Sequence, residues 1–375
     1  MKDFFKNYIY PIATLSSSII GVGFLSLPYM TLRVGVWPML FYFMVLTSLV
    51  VFIHLIFGQI SLKTPDFKRW PGFVGFYFGK WAKKIVLCST ILGSFGVLLV
   101  YLIIGGQFLT AVLSPLLGGT MINYIFLYFI AVSIFIYFGI KMIAKVDLIA
   151  LILLVVILII ILIKGLGQVK IGNIFFNNSL GISDLKTMFL PYGAIIFSLW
   201  GTGLIPEVEE MLRGNKKSFK KVIIISTLIP AVIYIAFIFL ILAITGKQTT
   251  DSALLGLKNV IGSGILSIAL FIGVISTFIA FIAQGLLLKK VLMYDVGIKE
   301  FPAWAFVCFT PLILFLMGFN SFIPLISFIG GFLLSIDGIL ILLMYKKIGG
   351  REIVIYPLML VFVLGIIYSV VYFVG

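Results

Sequence analysis

Charge is scarce in this chain: of 375 residues only 10% are Asp, Glu, Lys or Arg, against about a quarter in an ordinary soluble domain. That shortage excludes a soluble globular protein, and residues 85 to 140 carry no such residue at all. Histidine is reduced to His54, which argues against a His-rich metal centre and against a Ser-His-Asp triad. The two cysteines, Cys88 and Cys308, lie in apolar stretches without a CxxC or metal-ligand spacing and read as packing residues.

What is present is apolar, 62% of the chain. Cutting the apolar runs at charges, Pro and Gly gives eleven spans, at about 8–30, 35–60, 85–113, 121–140, 142–163, 187–212, 222–246, 260–288, 301–318, 322–345 and 353–373. A helix needs roughly 20 residues to cross a hydrocarbon core of about 30 Å, and the runs are continuous rather than alternating, which argues against a barrel. The expected fold class is all-α integral membrane, with about eleven transmembrane helices in one domain over 1–375. The first run follows Lys2 and Lys6 as a signal peptide would, but continues to Leu32 without a small-residue cleavage site, so it reads as a retained span.

Twenty-seven basic residues against 12 acidic ones give a net charge of +15. These charges fall between the apolar runs, so the partner they imply is the anionic lipid of a membrane face and not a nucleic acid. With the N-terminus inside, 21 of the 27 basic residues fall on cytoplasmic segments. That bias predicts a multi-pass protein of the plasma membrane with its N-terminus cytoplasmic and its C-terminus outside. The longest inner loop, Ser61 to Lys84, interleaves six basic residues with Phe67, Trp70, Phe73, Phe76, Tyr77 and Trp81, and reads as an amphipathic segment at the membrane interface.

Two spans contain a glycine pair where an uninterrupted helix is expected. Span 1 reads Ser16-Ser17-Ser18-Ile19-Ile20-Gly21-Val22-Gly23-Phe24-Leu25-Ser26-Leu27-Pro28, and span 6 reads Phe197-Ser198-Leu199-Trp200-Gly201-Thr202-Gly203-Leu204-Ile205-Pro206-Glu207. Glycine costs about 1 kcal/mol in a helix interior and proline about 3, so both spans are expected to unwind there. Unwound backbone at membrane depth is tolerated only where it is buried or lines a cavity. Five spans separate the breaks, an odd number that inverts one relative to the other, as in an inverted repeat. A half-helix N-terminus offers N–H groups to a carboxylate, and freed carbonyls suit an ammonium or Na⁺. The competing explanation is that Gly-x-Gly merely permits close helix packing.

The stretch from Ile19 to Pro28 resembles the first-span motif of the amino acid/auxin permeases, in the amino acid-polyamine-organocation superfamily with the LeuT-like fold, and Gly201-Thr202-Gly203 with Pro206-Glu207 is similar too. The resemblance implies a 5+5 inverted repeat, repeat one over about 8–163 and repeat two over about 187–345, with an extra span at 353–373. It implies secondary-active uptake of a small zwitterionic amino acid, coupled to H⁺ or Na⁺, with no other cofactor and no enzymatic activity. Span 1 lacks the Asp-Pro-Gly-Asn expected of a related metal-transporting branch. An alternative is a membrane receptor that senses an amino acid with the same fold.

The candidate substrate-binding residues are Ser17, Ser18, Gly21, Val22, Gly23 and Phe24 in span 1, and Phe197, Ser198, Trp200, Gly201, Thr202 and Gly203 in span 6. The aromatic surroundings of the second break favour a large neutral or aromatic side chain. Ser276 and Thr277, adjacent hydroxyls in span 8, resemble the pair that joins a coupling Na⁺ in relatives; the alternative is a bond to their own helix carbonyls. Glu207 lies about 4–10 Å beyond the second break with Glu209 and Glu210, a depth that suggests proton carrying or inner-gate pairing. Asp337, roughly 13 Å inside the boundary at Lys346, is an intramembrane charge for which Lys145 at the end of span 5 is a candidate gate partner. His54 reads as a hydrogen-bonded structural histidine. The sequence carries no signal for oligomeric state.

Overall fold

A computed structural model describes residues 5–66, 68–139, 143–175, 185–212, 215–257 and 263–374. Among them each of the eleven spans is helical over most of its length and there is no strand. Seven helices are long and apolar enough to cross a membrane, or eight when the bent pair Phe5–Ile19 and Gly23–Val34 counts as one, which is compatible with the eleven expected. The chain divides into two compact units: Met1–Thr90 with Asn177–Ala236 and Ser327–Gly375, and Ile91–Phe176 with Phe237–Ile326.

The first unit gathers spans 1, 2, 6, 10 and 11 with most of span 7. Both glycine-bearing spans are broken. Span 1 runs as helix Tyr10–Ile19, then a 3-10 turn Gly23–Ser26 and helix Leu27–Val34, with a bend of 50°. Span 6 runs as helix Leu190–Leu199, a 3-10 turn Thr202–Leu204 and helix Ile205–Leu212. Pro11 comes just after the π-type turn Phe5–Ile9, while the other three half-helices carry proline as the second residue of their α-helix, Pro28, Pro191 and Pro206. Proline there loses no hydrogen bond, because the first N–H groups of a helix have no internal acceptor, and its fixed φ suits the first turn. Pro28 and Pro206 therefore start the second half-helices rather than break the first, and the unwinding falls on the glycines.

Glycine also brings span 6 against span 10. The Cβ of an alanine at position 193 would lie 2.5 Å from the Ser327 carbonyl oxygen, and one at position 330 would collide with the carbonyl of Gly193. Backbone thus lies on backbone, the close approach that small residues allow where lipid gives helices no hydrophobic reason to associate. Span 10 answers with a π-type turn, Ile329–Leu333, between helices Phe322–Phe328 and Leu334–Lys347, a third irregular span that the Gly330-Gly331 pair could have signalled. Span 11, Glu352–Val374, covers the same face, with the Phe362 ring seated on Gly338 and Ser369 on Gly331.

The basic-aromatic loop after span 2 forms helix from Trp70 to Phe78, and Gly79, at φ +87°, turns the chain into the long helix that ends at Leu117. One face is packed on protein: Phe73 and Val74 are buried, and the Phe73 ring meets Phe57 at 5.1 Å. Trp70 Nε1 donates to Asp337 Oδ1 at 3.0 Å, and Lys347 Nζ donates to the Tyr77 carbonyl. The other face is open, with Phe76 51% exposed, and Trp81, just past the turn, is exposed as well. The segment is amphipathic as expected, but its apolar side is shared between the first unit and the surroundings.

The second unit holds most of span 3, spans 4, 5, 8 and 9, and the end of span 7. Gly105 and Gly106 of span 3 seat Tyr128 and Ile125 of span 4, and Gly285 of span 8 seats Ile136. Trp304 Nε1 donates to the Ser133 carbonyl at 2.9 Å. Lys289, nearly buried, pairs with Glu300 at 2.8 Å, and this hydrogen bond holds the Glu300 carboxyl below the usual carboxylate range.

Gly330→Ala should lower the melting temperature of the detergent-solubilised protein by several degrees, from about 1–3 kcal/mol of overpacking. Gly172→Ala, where nothing lies within 4 Å, should leave it unchanged. Equal melting of the two variants would contradict the backbone contact between spans 6 and 10.

Candidate functional site

The two breaks touch within the first unit. The Phe197 ring lies over Gly23, so that a Cβ there would sit 2.5 Å from the ring and 2.6 Å from Ser198 Oγ. Ile19, the last residue of the first half of span 1, fills the space over Gly201. Gly23 and Gly201 thus serve close packing, the alternative explanation for Gly-x-Gly. Their partners do not: Gly21 is half-buried, Gly203 is exposed, and a Cβ on Gly203 would meet nothing within 4 Å. One glycine of each pair closes the crossing while the other keeps backbone accessible.

Each break frees backbone groups, and polar side chains on spans 2 and 7 take several of them. The Gly201 N–H donates to His54 Nε2 at 3.0 Å. That nitrogen must be bare, so the ring proton is on Nδ1, which donates to Thr227 Oγ1 at 2.9 Å; Thr227 in turn donates to the Ile223 carbonyl. His54, fully buried, is therefore a neutral link from span 7 to the second break. The Tyr234 hydroxyl lies 3.2 Å from the Ile19 carbonyl and 3.1 Å from the Ser198 carbonyl, and its ring stacks on Phe24 at 5.2 Å. Ser16 Oγ donates to the Ser226 carbonyl at 3.2 Å. Sequence reasoning missed Tyr234 and Thr227. The available signal was the polar series Ser226, Thr227 and Tyr234, which shares one face of an otherwise apolar span 7.

Ser17, Ser18 and Ser198 donate their protons to the carbonyls of Thr14, Leu15 and Ala194, so each presents only lone pairs to a visitor. Val22, Phe24 and Thr202 are buried; Phe197 and Trp200 are half-buried, with the Trp200 ring edge-on to His54 and to Phe362. Glu207 lies in the first turn of helix Ile205–Leu212, half-buried, and nearby Glu209 accepts a hydrogen bond from Ser61. Asp337 is held by Trp70, while Lys145 belongs to helix Ile143–Gly165 with its side chain outside the described residues. Ser276 and Thr277 belong to the second unit. Thr277 Oγ1 bonds the Gly273 and Val274 carbonyls of its own helix, and Ser276 Oγ is buried with no hydrogen-bond partner among the described residues.

Two broken helices in contact, on a frame of helices that cross by glycine, are the architecture of a membrane transporter. The fold is shared with the transporter MhsT in complex with L-phenylalanine (14% identity, 98% of each chain covered, TM-score 0.62). It is also shared with an Eremococcus coleocola manganese transporter carrying the H236A mutation, at 12% identity over 98% of this chain and 86% of that one, TM-score 0.67. The same manganese transporter with an aromatic bis-isothiourea substituted compound gives a TM-score of 0.68. No curated protein matches in sequence. Residues 7–374 match the family of transmembrane amino acid transporter proteins, and the chain belongs to that family. It is a transporter, with the LeuT-like fold, and not an enzyme.

The glycines should separate by role. Gly23→Ala and Gly201→Ala should each lower the melting temperature by several degrees, from about 1–3 kcal/mol of overpacking. Gly203→Ala should leave it unchanged. A Gly201→Ala protein that melts with the wild type would show that Ile19 does not close the crossing.

Proposed function

We propose that the chain is a secondary-active permease that takes up a small zwitterionic amino acid by alternating access, with H⁺ or Na⁺ as the coupling ion. The observation that carries this reading is the contact between the two breaks, because it gathers opposite helix ends into one place. The 3-10 turns that lead into the second half-helices begin at Gly23 and Thr202, and the first N–H groups of such a turn have no acceptor within it, a setting that favours a carboxylate. Past the ends of the first halves lie the carbonyls of Ile20 and of Leu199 and Trp200, and Ser17 and Ser18 add oxygens whose protons are already committed, all suited to an ammonium. Only a ligand with both charges on neighbouring atoms uses both sets.

The half-buried rings of Phe197 and Trp200 support a large neutral or aromatic side chain, in line with the L-phenylalanine held by MhsT. Manganese is disfavoured for this chain. Gly21-Val22-Gly23 stands in span 1, which lacks the Asp-Pro-Gly-Asn expected of a metal-transporting branch. For the coupling ion, the buried, unpartnered Oγ of Ser276 supports Na⁺, since a buried hydroxyl oxygen without a partner calls for one. Glu207 is the alternative, as a proton carrier. The basic residues favour a cytoplasmic N-terminus and an outside C-terminus, and the plasma membrane is the location proposed with that orientation.

Uptake of each radiolabelled amino acid into proteoliposomes, with Na⁺ and pH gradients imposed separately, tests the reading. At least one neutral amino acid should accumulate under one of the gradients; binding without accumulation or counterflow would favour a receptor instead. If Na⁺ drives uptake, replacing Ser276 and Thr277 together by Ala should raise the Na⁺ needed for half-maximal rate by about tenfold, equivalent to about 1.4 kcal/mol of lost coordination. An unchanged Na⁺ curve would remove the pair from the ion site.

A further inference from the structure

The Tyr234 hydroxyl has one proton and two carbonyls to serve. Ile19 O and Ser198 O lie at nearly equal distances, 3.2 and 3.1 Å, both longer than the usual 2.7–2.8 Å of a hydroxyl bond to oxygen, as expected of a proton shared between two acceptors. These carbonyls belong to the ends of the first halves of spans 1 and 6, each the negative end of a helix dipole. Without a donor between them two such ends repel. Tyr234 is fully buried and its ring is held parallel to Phe24, so the hydroxyl is fixed in position by packing rather than by the bonds it makes. Ile19 O also accepts the Gly21 N–H at 2.9 Å, which leaves it with no capacity for a ligand.

We infer that Tyr234 is a positioning residue for the substrate ammonium. It occupies the innermost carbonyl of each break, so the ammonium is left to the next groups outward, the Ile20 carbonyl and those of Leu199 and Trp200, and the shared proton fixes how far apart those acceptors stand. This rests on the amino acid reading above. The consequence is selective: loss of the hydroxyl should weaken ligands through their ammonium, while the N–H groups that receive a carboxylate at Gly23 and Thr202 keep their places.

The test measures equilibrium binding to the full-length purified protein for the twenty L-amino acids, then for the tightest binder beside its 2-hydroxy acid: phenylalanine with phenyllactate, or leucine with 2-hydroxyisocaproate. In Tyr234→Phe, which keeps the ring on Phe24, amino acid affinity should fall about tenfold, the worth of one charge-assisted contact, while 2-hydroxy acid affinity moves less than about twofold. Replacing Tyr234 by 4-aminophenylalanine, with two N–H donors for the two carbonyls, should restore the amino acid affinity, and this variant carries the test if Tyr234→Phe does not fold. Equal losses for both ligands, or no loss, or a 4-aminophenylalanine protein without the wild-type preference, would overturn the inference and leave the amino acid reading standing. A folded wild type that binds none of the twenty would overturn both.

Discussion

A backbone N–H or C=O freed at a helix break inside a bilayer must find a partner within the protein, because lipid offers none and each orphan costs several kcal/mol. The first unit of this transporter is organised by that demand. Breaking spans 1 and 6 produces four helix ends, and spans 2 and 7 carry the polar groups that meet several of them: His54 for the Gly201 N–H, and Tyr234 for the Ile19 and Ser198 carbonyls. In the link from His54 through Thr227 to the Ile223 carbonyl every proton has an acceptor, which is how a polar chain survives among apolar spans.

The same crossing divides the labour of its glycines. Gly23 and Gly201 are filled from across the crossing by Phe197 and Ile19, so the two breaks are locked together by shape as well as by hydrogen bonds. Gly21 and Gly203 keep the backbone within reach. Close packing and backbone access are thus two uses of one motif, taken up by different members of each pair. Beyond the crossing, glycine again lets span 10 reach the backbone of span 6, and span 11 then closes over that contact, so the half-helix bearing Phe197 is held from both sides.

The breaks were legible in the sequence because glycine and proline act locally: whatever the tertiary fold, Gly21-Val22-Gly23 before Pro28 resists continuous helix. Helix positions were legible for a similar reason, since span length is set by the bilayer and not by contacts. The role of proline was read less well. Pro28 and Pro206 sit where helices start, and only the observed helix limits separate a breaker from a starter. For Tyr234 the sequence offers only its place on the polar face of span 7; the role itself comes from two carbonyls, 36 and 215 residues away along the chain. Asp337 shows the same limit. Its depth in span 10 suggested Lys145 as a partner, whose side chain lies outside the described residues; the donor the structure does show is an indole N–H from Trp70, a neutral group that no charge pattern reveals.

The central claim is that the crossing of the two breaks is where the amino acid binds. Amide hydrogen exchange of the detergent-solubilised protein tests it most directly, comparing peptides with and without a saturating transported amino acid. The account predicts slowed exchange confined to residues 20–24 and 200–204, the backbone left accessible at Gly21 and Gly203. Unchanged exchange in both segments, with protection appearing instead at another part of the chain such as the polar cleft lined by Lys170, Asn173 and Lys247, would contradict it.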